Sequence, residues 1–245
     1  MVEARAGKAL LARLPAPDRD LISRLRARNL TYLSDQKLVS LVDTCRSIEQ
    51  ANLPGIFLEA GCALGGSTIL IATLKRPDRP FFVYDVFGMI PPPTAQDTSD
   101  VHTRYRKIVG GEAKGLGGDT YYGYQEDLYG TVQGNLRSFD IDAERQSVCL
   151  VKGLVQDTMS IDQPVAFAHI DVDWYDPVKT CLERVIPRLV MGGSVILDDY
   201  HDWGGCRKAT DEILAGKAGQ FVRDDSALSL KVTRIAHASA TPSAS

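Results

Sequence analysis

A chain of 245 residues with 44% hydrophobic and 24% charged side chains has the composition of an ordinary globular protein, long enough for one substantial core. Its formal net charge of −3, with no long Lys/Arg block, gives no electrostatic basis for a nucleic-acid partner. The five cysteines (Cys45, Cys62, Cys149, Cys181 and Cys206) are odd in number, widely spaced and free of any C-x-x-C pair, which argues for reduced thiols and against a disulfide frame.

The opening stretch, MVEARAGKALLARLPAPDRD, is broken by Arg13 and Pro15 and makes a poor signal peptide. No apolar run approaches the ~18 residues of a membrane span, so no membrane partner is expected and the cytoplasm is the expected compartment. Residues 18–29 and 34–52 read as two helices, the second opened by a capping Ser34 or Asp35. Residues 1–53 are thus expected to form an N-terminal helical extension, and 54–236 the main domain.

From there the pattern alternates. Strands are expected at 55–61 (GIFLEAG), 80–87 (PFFVYDVF), 149–153 (CLVKG), 165–171 (VAFAHID), 192–200 (GGSVILDDY) and 229–235 (SLKVTRI). Helices are expected at 65–75, 176–189 and 204–216, the second capped by Asp176 ahead of Pro177. Apolar strands alternating with amphipathic helices predict an α/β fold, a doubly wound and mostly parallel sheet. Residues 88–123, rich in Pro and Gly and interleaved with Tyr105, Tyr121 and Tyr122, are too long for a plain connection and read as a lid. Residues 237–245 are small and polar and are expected to be disordered.

Three features carry chemistry. The turn LEAGCALGGST (58–68) follows the first strand, where such folds bind a nucleotide-like cofactor. Its G-x-x-x-G-G spacing matches neither the dinucleotide fingerprint nor a P-loop. The acidic Glu59 would repel a diphosphate but suits a ligand with a cationic sulfur and an amine, as in S-adenosylmethionine. Asp85, about 20 residues beyond the turn at the end of the next strand, is placed to accept hydrogen bonds from ribose hydroxyls. Asp171 ends one strand and Asp198-Asp199 the next, so three carboxylates converge at the rim. A divalent cation relieves their repulsion, and all-oxygen ligands suit Mg²⁺, Mn²⁺ or Ca²⁺ rather than Zn²⁺.

Other polar residues read more plainly. His169 is expected to be packed or paired, His201 to lie near the rim, His102 to face substrate from the long loop, and Cys62 to be a packing residue. Trp174 and Tyr175 are candidates either for the acceptor pocket or for the core.

The ordered blocks EAGCALGGS, YDVFGMIPPP, LVKGLVQDT, HIDVDWYDPV and GGSVILDDYHDWGGCRKATDE, spanning roughly residues 55–215, resemble the macrocin O-methyltransferase (TylF-type) family of class I, S-adenosylmethionine- and metal-dependent enzymes. The resemblance implies methyl transfer to a hydroxyl of a small-molecule acceptor, typically a sugar of a bacterial natural product, and a homo-oligomer. It implies Asp171, Asp198 and Asp199 as metal ligands and Asp173 as general base. It further implies Glu59, Gly61, Ser67 and Asp85 as cofactor contacts, with Gly153, Gln156 and Asp157 near the adenine. One departure is visible: many relatives read D-[ST]-F-x-G-[LM]-P, whereas Asp85-Val86-Phe87-Gly88-Met89-Ile90-Pro91 moves the glycine by one place, which bears on lid shape. A catechol-type acceptor and a D-x-D glycosyltransferase are the competing enzyme readings, and a non-catalytic cofactor-binding protein is the third.

Overall fold

Each run expected to be a strand forms one, and a further strand, Phe221–Asp224, joins them. In the computed structural model, which describes residues 2–235, these are β1 (Ile56–Ala60), β2 (Phe81–Asp85), β3 (Val148–Lys152), β4 (Val165–Ile170), β5 (Leu189–Leu197), β6 (Phe221–Asp224) and β7 (Leu230–Arg234). They form one seven-stranded sheet in the order β3-β2-β1-β4-β5-β7-β6. Strands β1 to β5 are parallel, and β7 inserts antiparallel between β5 and β6. The order reverses between β1 and β4, and in open α/β sheets ligands bind at the carboxyl ends of the strands beside that reversal.

The helices are α1 (Val2–Leu11), α2 (Ala16–Ala27), α3 (Asp35–Gln50), α4 (Gly66–Leu74), α5 (Ser99–Val109), α6 (Leu128–Ser138), α7 (Val155–Thr158), α8 (Tyr175–Val185) and α9 (Gly204–Leu214). Successive strand residues point to opposite faces, and the core divides accordingly. Phe57 and Phe167 pack with Leu25 of α2, Leu38 and Val42 of α3 and Ile69 of α4. Leu58 and Ala168 pack on the other face with Val178 and Leu182 of α8 and Ala209 of α9. The Phe57 and Phe167 rings meet edge-on at 5.3 Å, each fully buried, and burial of such a side chain contributes roughly 1.5–3 kcal/mol.

The sheet and both helical layers match the sequence expectation, with boundary shifts that have physical causes. The expected helix 176–189 ends at Val185, because Pro187 has no N–H to continue the ladder; a 3₁₀ turn, Ile186–Arg188, takes its place. Strand β5 consequently begins at Leu189 and ends at Leu197, so Asp198 and Asp199 lie just past the strand and not within it. Five elements carry no expectation from sequence: α1, α5, α6, α7, which has only four residues, and β6. α1 contains Gly7, α6 is interrupted by Gly130 and Gly134, and β6 has only four residues. The long segment 88–123 is ordered around α5 and the small cluster of Ile108, Ala113 and Tyr121, with the Tyr124 hydroxyl donating to Ile108 O at 2.5 Å. Residues 237–245 lie outside the described residues. Among the described residues no helix is long and apolar enough to cross a membrane.

Candidate active site

Backbone hydrogen bonds continue past the strand ends and align the candidate residues in a row. Gly61 N donates to Tyr84 O at 2.8 Å, Gly153 N to Asp85 O at 2.9 Å, Asp171 N to Ala60 O at 2.8 Å, and Asp198 N to Ile170 O at 2.9 Å. Gly61 has to be glycine here. Its φ is +82°, and a Cβ would lie 1.9 Å from the Asp171 carbonyl oxygen. Above this row opens a cavity of about 360 Å³, lined by Gly61, Asp85, Gly153, Gln156, Asp171, Asp173, Asp198 and Asp199 among others.

On the cofactor side, Asp85 accepts from Cys62 N and from Phe87 N, both at 2.7 Å. Burial raises its pKa and these backbone donors oppose the rise. Three expected cofactor contacts do not line the cavity. Asp157 is exposed on α7, and Ser67 is buried in the first turn of α4. Glu59 is fully buried inside β1. Its carboxylate takes the Thr68 hydroxyl on one oxygen and His169 Nδ1 at 3.0 Å on the other. This follows from register, because Glu59 lies beside His169 in the β1–β4 pair.

The acidic side is built from the turns after β4 and β5. Carboxylate oxygens of Asp171, Asp173 and Asp199 lie within 4.8 Å of one another, and so do those of Asp198, Asp199 and Asp202. The expected trio of Asp171, Asp198 and Asp199 is therefore split into two groups that share Asp199, and Asp202 is an addition. Asp173 holds a left-handed backbone, φ +56°, with its N–H 3.3 Å from Asp199 Oδ2. Such strain in a residue other than glycine persists only where its surroundings enforce it.

The charges separate clearly. Lys37, in the first turn of α3, reaches Asp198 Oδ2 at 2.9 Å and Asp202 Oδ2 at 2.7 Å. The Ser34 cap of α3 accepts from Lys37 N and fixes where this side chain starts. His169 Nε2 lies 3.8 Å from Asp198 Oδ1. Burial disfavours the imidazolium, but the Asp198 and Glu59 carboxylates outweigh it and raise the His169 pKa to about 10. Burial likewise opposes ionisation of Asp198, yet His169 and Lys37 hold its carboxyl below the ordinary value. Asp171 is pushed up to about 8 by burial and then by Asp198. Burial raises Asp173 to about 6 despite its hydrogen bonding with Asp199. Asp199 rises well above the usual range through burial and the charges of Asp173 and Asp171.

These carboxyls fit a hard divalent cation. Asp198 Oδ1 is buried without a hydrogen-bond partner among the described residues, and three crowded acids with raised pKa values retain protons that a cation would displace.

Further parts of the cavity wall come from the long segment (Ile90, Pro91, Arg104 and Tyr121), the link between α2 and α3 (Tyr32) and the turn after β4 (Trp174). The Tyr121 and Tyr122 rings lie 4.4 Å apart. Trp174 donates through Nε1 to Pro91 O at 3.0 Å, tying the segment to the β4 turn. Tyr175 belongs to the core, with its hydroxyl on Glu212. Asp176 does not cap α8. That helix starts one residue before it, and Asp97 of the long segment accepts from Tyr175 N at 2.7 Å. Asp100 accepts from Gly204 N at 3.1 Å at the start of α9. His201 is exposed, 3.1 Å from Asp225, and neither it nor His102 lines the cavity. Cys62 is a buried free thiol in the first turn.

The strand order with its single antiparallel insertion, and a cavity at the strand ends beside the Gly turn, define a class I methyltransferase. The chain belongs to the Macrocin-O-methyltransferase (TylF) family, whose model matches residues 18–218, and it is accordingly an S-adenosylmethionine-dependent O-methyltransferase. It is 27% identical over 192 residues to demethyldecarbamoylnovobiocin O-methyltransferase of Streptomyces niveus, covering 76% of this chain and 68% of that protein. The fold is similar to that of the O-methyltransferase NovP (TM-score 0.69, 23% identity, 84% of this chain and 83% of that one). It is also similar to that of the calicheamicin methyltransferase CalS11 (TM-score 0.59, 18% identity, 95% and 91%).

Proposed function

We propose that this enzyme is a divalent-metal-dependent O-methyltransferase that methylates a sugar hydroxyl of a bacterial natural product or glycoside. One observation carries the metal dependence: Asp171, Asp198 and Asp199 line the same cavity in two carboxylate groups that share Asp199, and Asp198 Oδ1 accepts no hydrogen bond, with the His169 ring 3.8 Å away. The sugar acceptor is supported by the kind of protein this chain is similar to, among them a TDP-rhamnose 3′-O-methyltransferase at TM-score 0.52.

S-adenosylmethionine supplies a methyl group on a sulfonium, and a divalent cation, Mg²⁺ in the first instance, supplies a Lewis acid that lowers the pKa of a hydroxyl. Asp171, Asp199 and Asp198 Oδ1, the oxygen that Lys37 does not take, would hold the cation. Asp85 would take the ribose hydroxyls, with Gly153 and Gln156 at the adenine edge. Glu59 acts one layer behind, holding Thr68 of α4 and His169 in place. Asp173 accepts the proton of the acceptor hydroxyl as its oxygen attacks. A carboxylate with a pKa near 6 is ionised at neutral pH and is a stronger base than an unperturbed aspartate. Tyr32, Tyr121, Tyr122 and Trp174 position the acceptor and keep water away, and such positioning supplies much of the rate in a transfer of this kind.

Methyl transfer to a panel of glycosides, run with and without EDTA, tests the reading. Turnover should vanish in EDTA and return with Mg²⁺, and Asp173→Asn should lower kcat by roughly 10²–10⁴-fold with S-adenosylhomocysteine binding intact. Full activity in EDTA would remove the metal, and near-normal kcat in Asp173→Asn would remove the base.

A further inference from the structure

We infer that Lys37 is a built-in cation of the acidic rim: its ammonium occupies a second cation seat, formed by Asp198 Oδ2, Asp199 and Asp202, and so limits the rim to one divalent ion. The inference rests on the metal-dependent reading above.

The geometry divides the rim in two. Five carboxylates sit in two overlapping groups, and each group alone has the compactness of a cation site. The Asp198–Asp199–Asp202 group already holds a charge, since Lys37 Nζ bridges Asp198 and Asp202 at 2.9 and 2.7 Å. No lysine or arginine among the described residues forms an ion pair with Asp171, Asp173 or Asp199. Asp198 Oδ1, which accepts no hydrogen bond and lies 3.8 Å from His169 Nε2, belongs to the same carboxylate whose other oxygen Lys37 takes. One carboxylate thus serves a fixed monovalent cation on one oxygen and keeps the other for a divalent ion.

Lys37 is well suited to a permanent role. Its side chain is 11% exposed, and it projects from a capped helix turn of the N-terminal segment, 161 residues from Asp198 in sequence. An ammonium in one half repels a divalent ion from the adjoining half and leaves it the Asp171 side. The divalent ion is then kept beside Asp173 and away from Asp202, which is exposed on the outer edge.

The test counts Mn²⁺ ions bound per full-length chain by titration calorimetry, with electron paramagnetic resonance of free Mn²⁺ as an independent count. The wild-type chain should bind one ion. Lys37→Met and Lys37→Gln should each bind two, and Asp202→Asn added to either should return the count to one. Lys37→Arg, which keeps the charge, should also bind one. A count of one in both neutral variants overturns the inference while leaving metal dependence standing. No binding by the wild type together with one ion in the neutral variants would retain the competition and overturn metal dependence. No binding by any of them would overturn both. Circular dichroism establishes that each counted variant is folded.

Discussion

Replacing Gly61 with alanine tests how the turn after β1 and the turn after β4 depend on one another. The added methyl would lie 1.9 Å from the Asp171 carbonyl oxygen, where contacts under 3.0 Å do not occur, and it would sit on a residue at φ +82°. Holding a left-handed conformation costs an alanine roughly 1–2 kcal/mol, and forcing one methyl into filled space costs roughly 1–3 kcal/mol. Together these give about 2–5 kcal/mol, a drop of about 4–20 °C in Tm for a chain of this size. The backbone that must yield is that of Asp171, whose N–H is held by Ala60 O at 2.8 Å. The damage therefore extends to a proposed metal ligand. Differential scanning fluorimetry reads the first effect, and Mn²⁺ titration of the folded variant reads the second as at least a tenfold loss of affinity. A Gly61→Ala protein that melts within about 2 °C of wild type and binds Mn²⁺ normally would refute the claim that the two turns are in contact.

The metal-free protein should lose stability as pH rises from 3.8 to about 8, through Asp173 up to about 6 and through Asp171 up to about 8. In the folded chain Asp173 and Asp171 titrate at about 6 and about 8, against 3.8 when unperturbed, so the folded state holds protons that the unfolded chain has already released. Raising the pH withdraws them, at no more than about 1.4 kcal/mol per group per pH unit, and a bound cation should cancel the loss. Equal Tm values in EDTA across that range would refute this. Asp97→Ala removes the cap on Tyr175 N and should cost about 1 kcal/mol, or about 2–4 °C. The acceptor KM should rise several-fold with kcat little changed, and an unchanged KM would show that the cap does not position the segment over the cavity.

Much of the site is legible in the sequence because strand ends are legible. Asp85, Asp171 and Asp198-Asp199 follow apolar runs whose ends are unambiguous, and a parallel sheet brings such ends together. What escapes reading are the partners supplied from elsewhere. Lys37 is one polar position among several on an amphipathic helix, and nothing local marks it as facing Asp198. The Glu59–His169 pair depends on β1 lying next to β4 in a specific register, so Glu59 reads as a cofactor contact until the register is known. Asp176 looks like a cap because Pro177 follows it, but the hydrogen bond goes to Asp97, on the other side of the cavity segment. The internal order of residues 88–123 escapes for the same reason. Its tyrosines and prolines are visible, while the α5 turn that aligns them depends on contacts with α9 and the β4 turn.

The two aspartates of that segment have a practical consequence for redesign. Asp97 closes the start of α8 and Asp100 the start of α9, so the segment that lines the cavity, and that we propose receives the acceptor, also terminates the two helices behind the acidic residues. It is not an interchangeable module. A loop transplanted from a relative to change which molecule is methylated has to bring an acid at both places. Without them the new pocket would arrive on a scaffold with two frayed helices, and poor activity would be misread as poor substrate choice.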